Sequence, residues 1–308
     1  MVDATAGDPI TGLKWTRKTL RQLSRELGRK RIRASCMTVR RLLRQRDYTL
    51  RVNRKRLTKE RHPDRDRQMR YIARRRKAFQ KAGFPVISVD SKKKELIGNF
   101  RNAGRTWRRQ ALEVFATDFL SDAEGKAIPY GLYDVARNEG WVVIGTSHET
   151  AEFAIAAIRA WWLVVGRRRY AGKHRLLIEA DDGGANDSRS WLWKAGLQRL
   201  ADEFHLTITV THFPPGASKW NPVEHRLFGP ISLNWAGQPL RSYETMLKFI
   251  RTTKTESGLR CRARLDRRDY ATGLKVMPDE KARINLKPHR VLSQWNYTIE
   301  PHTSVRRK

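Results

Sequence analysis

The stretch Phe84 to Glu95, FPVISVDSKKKE, constrains the fold of this chain more than any other. Pro85-Val86-Ile87-Ser88-Val89 is short, apolar and rich in β-branched residues, with turn formers before it, which is the pattern of a strand. It ends on a carboxylate, Asp90, and runs into three lysines. A carboxylate there either caps a strand in solvent or holds a metal ion at the rim of a sheet. Asp90 alone does not decide between the two.

The segments downstream supply the rest of a sheet. Ala127 to Tyr133 and Gly140 to Ser147 read as two further strands split by Asn138-Glu139-Gly140, so three successive strands form an antiparallel meander. Thr150 caps a helix striped by Phe153, Ala157, Ile158, Trp161 and Val165 and ended by Gly166. His174 to Ala180, HRLLIEA, is nearly all apolar in its middle and therefore reads as a central strand, ending on Asp181-Asp182-Gly183-Gly184. A helix over Ser188 to Phe204, a strand over Leu206 to Thr211 and a helix opened by Asn221-Pro222 complete the series.

This order predicts an α/β protein with a mixed sheet flanked by helices, and it is the element order of the ribonuclease-H-like fold. In that fold a carboxylate on the first strand lies beside one at the end of the fourth, and the final helix brings a third. Here those positions are Asp90, Asp181 and Glu224. Three acids in an open cleft suit Mg²⁺ or Mn²⁺, two ions in all, because a hard cation takes oxygen ligands and needs few of them. The eight histidines show no zinc spacing. Each acid also has a plainer role: Asp181-Asp182 before two glycines makes a turn, and Glu224, third in a helix capped by Asn221, can close a capping box.

Charge restricts the partner. The 308 residues hold 64 Lys and Arg against 31 Asp and Glu, a formal charge of +33, which calls for a polyanion. No 18-residue apolar run argues for a membrane, and two distant cysteines, Cys36 and Cys261, argue for a reducing compartment, the cytoplasm and its nucleoid.

Residues 1 to 12 read as a disordered leader without signal-peptide character. From Trp15 the pattern turns helical, with Thr16 as N-cap, Leu20, Leu23 and Leu27 in register and Gly28 as the stop. After RKRIRA, Ser35 caps a second helix with Val39, Leu42 and Leu43 inward. The pair reads as a small all-α helix-turn-helix domain whose Arg40, Arg41 and Arg44 reach DNA. A basic linker follows over 51 to 62, then a third helix from Pro63-Asp64 with Met69, Ile72, Ala73 and Phe79 on one face, ended by Lys81-Ala82-Gly83. The expected division is 1–62 for the DNA-binding region and linker, 63–236 for the catalytic domain and 237–308 for its basic C-terminal extension. That extension holds a helix over Tyr243 to Thr252 and strand-like pieces around Leu259 to Leu265. Lys92, Lys93, Lys94 and Lys219 either steady phosphates beside the acids or form solvated runs. Trp220 either stacks on a base or packs in the core.

Six motifs resemble a known family: PVISVDSKKKELIGNF, GKAIPYGLYDVARNEGW, HRLLIEADDGGAN, HFPPGASKWNPVEHRLF, ISLNWAGQPL and WNYTI. They are similar to the Rhodopirellula-type DDE transposases of bacterial insertion sequences and span nearly the whole chain. The resemblance implies that Asp90, Asp181 and Glu224 bind the metal and that the N-terminal helices bind the element's terminal repeats. The implied partners are double-stranded DNA, both terminal inverted repeats and target, with the chain working as a homo-oligomer. Glu179 and Asp182 depart from the family's threonine and glycine, so Asp182 is expected to compete for the metal or misplace it. Arg105 to Glu124 reads as shortened, and the start as lacking a front portion of longer members. The rival expectations are a DNA-binding remnant or repressor without catalysis and a structure-selective nuclease of the same fold.

Overall fold

The computed structural model describes residues 5–7, 14–16, 18–50, 62–217 and 220–302. The chain divides into two compact units, Met1–Leu57 and Thr58–Lys308.

In the first unit, β1 (Thr5–Gly7) pairs antiparallel with β2 (Lys14–Thr16), in the register Thr5↔Thr16 and Gly7↔Lys14. The N-terminal region is therefore not all-α, and Thr5–Gly7 is not part of a disordered leader. Two helices follow, α1 (Leu20–Arg29) and α2 (Cys36–Gln45). The cap of α1 is Thr19 rather than Thr16, because only Thr19 has Gln22 three residues on to complete a capping box. Gly28 lies inside α1 rather than after it. Ser35 caps α2 as expected, accepting from the Thr38 N–H, and Val39 is the residue of α2 that is buried. Leu42 remains 45% exposed.

The second unit opens with α3 (Arg65–Lys81), which buries Gln68, Tyr71, Ile72 and Phe79. The strands β3 (Val86–Ser91), β4 (Glu95–Ile97), β5 (Gly125–Asp134) and β6 (Glu139–Gly145) come next. Then α4 (Ala151–Trp161) continues through a π turn over Trp162–Gly166 into the single turn α5 (Arg167–Arg169). After β7 (Arg175–Ala180) come α6 (Trp191–Phe204) and β8 (Thr207–His212). A helical segment over 222–234 contains a π turn at Glu224–Phe228 and ends as α7 (Gly229–Asn234). The chain closes with α8 (Tyr243–Thr252), β9 (Arg260–Asp266), α9 (Pro278–Ala282), β10 (Leu286–Pro288) and β11 (Asn296–Ile299).

Among the described residues the sheet runs β10-β11-β8-β7-β3-β5-β6-β9, with β4 paired separately to β5. β3, β7 and β8 are mutually parallel, β5 runs antiparallel between β3 and β6, and β9 is parallel to β6. The meander and the central β7 are thus as expected, and the mixed sheet with flanking helices is the fold. The C-terminal segment is not only basic surface: it forms both outer edges of the sheet, β9 on one side and β10-β11 on the other.

Alternation along the strands builds two cores. Ile87, Val89, Leu176, Ile178, Ile208 and Val210 pack with Phe153, Ile158, Trp193 and Leu197 of α4 and α6. On the opposite face Phe79 of α3 covers Val86 and Leu177. The 222–234 segment and α8 cover Tyr133, Val142 and Ile144. Gly131 is the hinge of that second layer: a Cβ there would lie 2.6 Å from the Phe228 ring, so the missing side chain lets the helix lie directly on β5.

Candidate active site

The parallel register of β3 on β7 pairs Val89 with Ala180, so Asp90 and Asp181 leave neighbouring strands at the same rim of the sheet. The helical segment over 222–234, seated against Gly131, brings Glu224 to within hydrogen-bonding reach of Asp90. Gly131 is itself the register partner of Asp90, so one glycine fixes both the strand pairing and the approach of the third acid. The π turn begins at Glu224, and such widened turns re-aim a side chain that regular helix would direct elsewhere.

Burial, and then the charges of Asp181 and Glu224, push the Asp90 carboxyl up to about 9. Burial likewise pushes Asp181 up, to about 6, helped by the nearby Asp182, Glu149 and Glu224 and opposed by a hydrogen bond from Asn186. Like-charged groups crowded in a poorly solvated rim retain protons that isolated carboxylates release.

Neutral amides hold the acids in place. Asn221 donates to Asp90 Oδ2 at 3.0 Å and accepts from Ser88 Oγ at 2.5 Å, while Ser88 Oγ also receives the Val223 N–H at 3.3 Å. Asn221, which is fully buried, is thus more than a helix cap. On the other strand Asn186 donates to Asp181 Oδ1 at 2.9 Å and is itself fixed by the Tyr130 hydroxyl at 2.7 Å. His212 is turned into structure, with Nδ1 2.9 Å from the Asp181 carbonyl and Nε2 3.2 Å from the Tyr297 hydroxyl.

The intruding acids have partners of their own. Asp182 accepts from the Ser188 N–H at 3.0 Å and from Trp295 Nε1 at 2.8 Å, so both its oxygens are committed away from its neighbour. These contacts tie Asp182 to the loop that follows β7 and to Trp295. Glu179 is buried on β7 and takes both arms of Arg76 from α3, at 2.8 and 2.5 Å. Sequence reasoning missed a fourth acid, Glu149, which lies close enough to act on Asp181 and ion-pairs with Lys94 at 3.6 Å. Its place just before the Thr150 cap disguised it as helix punctuation.

The basic residues expected to contact DNA fare differently. Lys92 is tied to Glu95 and lies 5.0 Å over the Trp235 ring, whereas Lys93 and Lys94 are exposed. Arg40, Arg41 and Arg44 are exposed on α2. Lys219 lies outside the described residues, as do 51–61 of the linker. Trp220 is 37% exposed, with the Arg65 guanidinium 4.1 Å over its ring.

Among the described residues, no three His, Cys, Asp or Glu side chains are gathered tightly enough to hold an ion as they stand. The donor chemistry nonetheless fits a hard divalent cation: it is all carboxylate oxygen, burial and then neighbouring acids raise the pKa of Asp90 and Asp181 so that a cation would relieve the crowding, and the histidine beside it is engaged elsewhere.

Over residues 1–301 the sequence matches the family described as Rhodopirellula transposase DDE domain, and the chain belongs to that family. No protein of curated function matches it. Solved structures similar to it include the Mos1 transposase paired-end complex with left transposon end, at 15% identity and a TM-score of 0.46, covering 76% of this chain and 65% of that one. The Mos1 mariner paired end complex with Mn, at 17% identity and a TM-score of 0.44, and the paired end complex with Mg, at 14% and 0.46, have the same coverage of 76% and 65%. The chain therefore spans just under two thirds of those relatives. Among the described residues no helix is long and apolar enough to cross a membrane.

Proposed function

We propose that this chain is a DDE transposase that cuts DNA at the ends of an insertion sequence and joins the freed 3′ ends to target DNA. The observation that carries the reading is the meeting of Asp90, Asp181 and Glu224, far apart in sequence, at one rim of the sheet. Asp90, Asp181 and Glu224 would hold one or two Mg²⁺ or Mn²⁺ ions. Bound there, the ions supply activation of an attacking oxygen and stabilisation of a leaving one. Asn221 and Asn186 keep two of the carboxylates oriented, and Lys93 and Lys94 offer charge to the phosphates flanking the scissile bond. Water attacks the phosphorus in line and the 3′ oxygen leaves; that 3′ hydroxyl then attacks a target phosphate in the same geometry. No protein nucleophile is needed. The exposed Arg40, Arg41 and Arg44 of α2 serve as the helix-turn-helix contact with the terminal repeats, and the chain works as a homo-oligomer on DNA in the nucleoid.

A second reading, a DNA-binding remnant, draws on the looseness of the acid cluster. Incubation of the protein with DNA bearing the element's inverted repeats and Mg²⁺ or Mn²⁺ separates the two. Strand cleavage by the wild type, lost at least about 10³-fold in Asp90→Asn, Asp181→Asn and Glu224→Gln with binding retained, supports the enzyme. Binding by all four proteins with cleavage by none leaves the remnant.

A further inference from the structure

The helix α3 carries a second kind of surface. Its inward face, Gln68, Tyr71, Ile72 and Phe79, is buried. Its outward face presents Arg67, Arg70, Arg74, Lys77 and Lys81, all exposed, at intervals of three and four residues. That spacing places the five cations in one file along the helix. The file is about 21 Å long at about 1.5 Å per residue. Among the described residues only Arg67 has an acid beside it, Asp64 at 3.9 Å. Each step from cation to cation is a like-charge pair that opposes the helix in the absence of a counter-charge. Asp66 is the sole acid within α3, so the helix does not supply its own.

The file also has a direction. The N-terminal end of α3 lies at the rim that bears the acids: Gln68 donates to the His212 carbonyl at 2.8 Å, and His212 in turn contacts the Asp181 carbonyl at 2.9 Å. His62, just ahead of the helix, packs its ring 4.7 Å from Trp295, which holds Asp182. At the other end Phe79 and Phe84 pack together beside the start of β3. The cations therefore lead away from the acid rim down the flank of the sheet.

We infer that this face of α3 is a rail for the phosphate backbone of duplex DNA, holding the strand that runs to the acids. The inference rests on the reading of DNA as the partner and adds a surface to it. About 21 Å of helix matches about six successive phosphates of one strand at about 3.4 Å of axis each, against five cations. A lipid surface fits less well, because the apolar face that would enter a bilayer is already buried under the sheet and the apolar residues exposed between the cations are the alanines Ala73 and Ala78.

The test is binding of the full-length protein to a fluorescent 30-base-pair duplex in EDTA, titrated with KCl. Two variants are compared with the wild type. One replaces Arg67, Arg70, Arg74, Lys77 and Lys81 by Gln; the other replaces five exposed cations of the opposite edge, Lys248, Lys254, Arg260, Arg262 and Arg264, by Gln. The expected result is a slope of log K on log salt shallower by about 4 to 5 in the first variant and by less than about 1 in the second. Should the fivefold variant fail to fold, Arg70→Gln with Arg74→Gln is expected to lose about 2 of slope. An unchanged slope, or equal losses in both variants, overturns the rail and leaves the transposase reading intact. Absence of DNA binding by the wild type overturns that reading itself. Wild-type binding to phosphatidylserine vesicles that the stripe variant loses, while its DNA binding is unaltered, also overturns the rail.

Discussion

Asp90 has neighbours that pull its proton in opposite directions. Asp181 and Glu224 disfavour its charge, while the Ser91 N–H, at 2.7 Å, and the Asn221 amide donate to it. Burial and repulsion win, and the carboxyl titrates near 9. In an unfolded chain the same group titrates at about 3.9, so the folded state binds the proton more tightly. Its contribution is then fully present below about pH 4 and is lost as pH rises towards 9. Metal-free protein is expected to melt at progressively lower temperature across that window. Added Mg²⁺ should raise the melting temperature more at pH 8.5 than at pH 5, and calorimetry in EDTA and in Mg²⁺ reads both effects. An Mg²⁺ effect independent of pH would contradict the acids' coupling to the ion. The positions of Asp90 and Asp181 were legible in the sequence because each stands at the end of an apolar strand, and that of Glu224 because it follows the helix opener Asn221-Pro222. Asn221 and Asn186 were not: an asparagine before proline has the look of a cap, and nothing local shows that it faces a strand over a hundred residues earlier. Glu149 was hidden in the same way by the cap that follows it.

Between elements, the pair Arg76 and Glu179 joins α3 to the central strand. Burial pushes the Glu179 carboxyl up and the guanidinium pulls it back, which leaves a buried carboxylate dependent on one partner. Arg76→Ala should cost about 3–5 kcal/mol, whereas Arg76→Met combined with Glu179→Thr should recover most of the loss, because removing both charges leaves nothing unpaired. Urea denaturation of the single and double variants measures this; equal loss in both would show that the pair is not what α3 depends on. The long strands and helices were readable from β-branched runs, helical stripes and caps. The three-residue β4 was not, since it is defined by pairing with β5 and not by its own pattern. Nor was the π turn over Glu224–Phe228, whose last residue, Phe228, lies against Gly131 of a strand almost a hundred residues earlier. The expected cap at Thr16 failed because a threonine is common before a helix and the glutamine that completes the box, three residues beyond Thr19, is what distinguishes the true one.

At the scale of the molecule the sheet is closed from the far end of the sequence. β11 pairs with β8 in the register Asn296↔Thr211, and Asn296 exchanges side-chain hydrogen bonds with Gln68 of α3 at 2.7 and 2.9 Å. Trp295, directly before it, donates to Asp182. Trp295→Phe keeps an aromatic ring of smaller size and deletes the donor, so it should cost at least about 1.5–3 kcal/mol, the range for a hydrogen bond to a charged group. Loss of stability in Trp295→Phe but none further in Trp295→Phe with Asp182→Asn would confirm that the two act as a unit, and additive losses would refute it. The basic surplus and the WNYTI motif were visible in the sequence, but a motif more than a hundred residues from Asp182 gave no sign that it secures the loop beside the second acid.

That tether has a consequence for how the protein comes into being. A nascent chain that has emerged from the ribosome only as far as Leu292 already contains Asp90, Asp181 and Glu224, yet β8 still has an open side and the Asp182 carboxylate has no indole to hold. The loop carrying the second acid gains its indole partner and its neighbouring strand only once residues 295–299 have emerged. Translation itself thereby sets the moment at which the rim is finished.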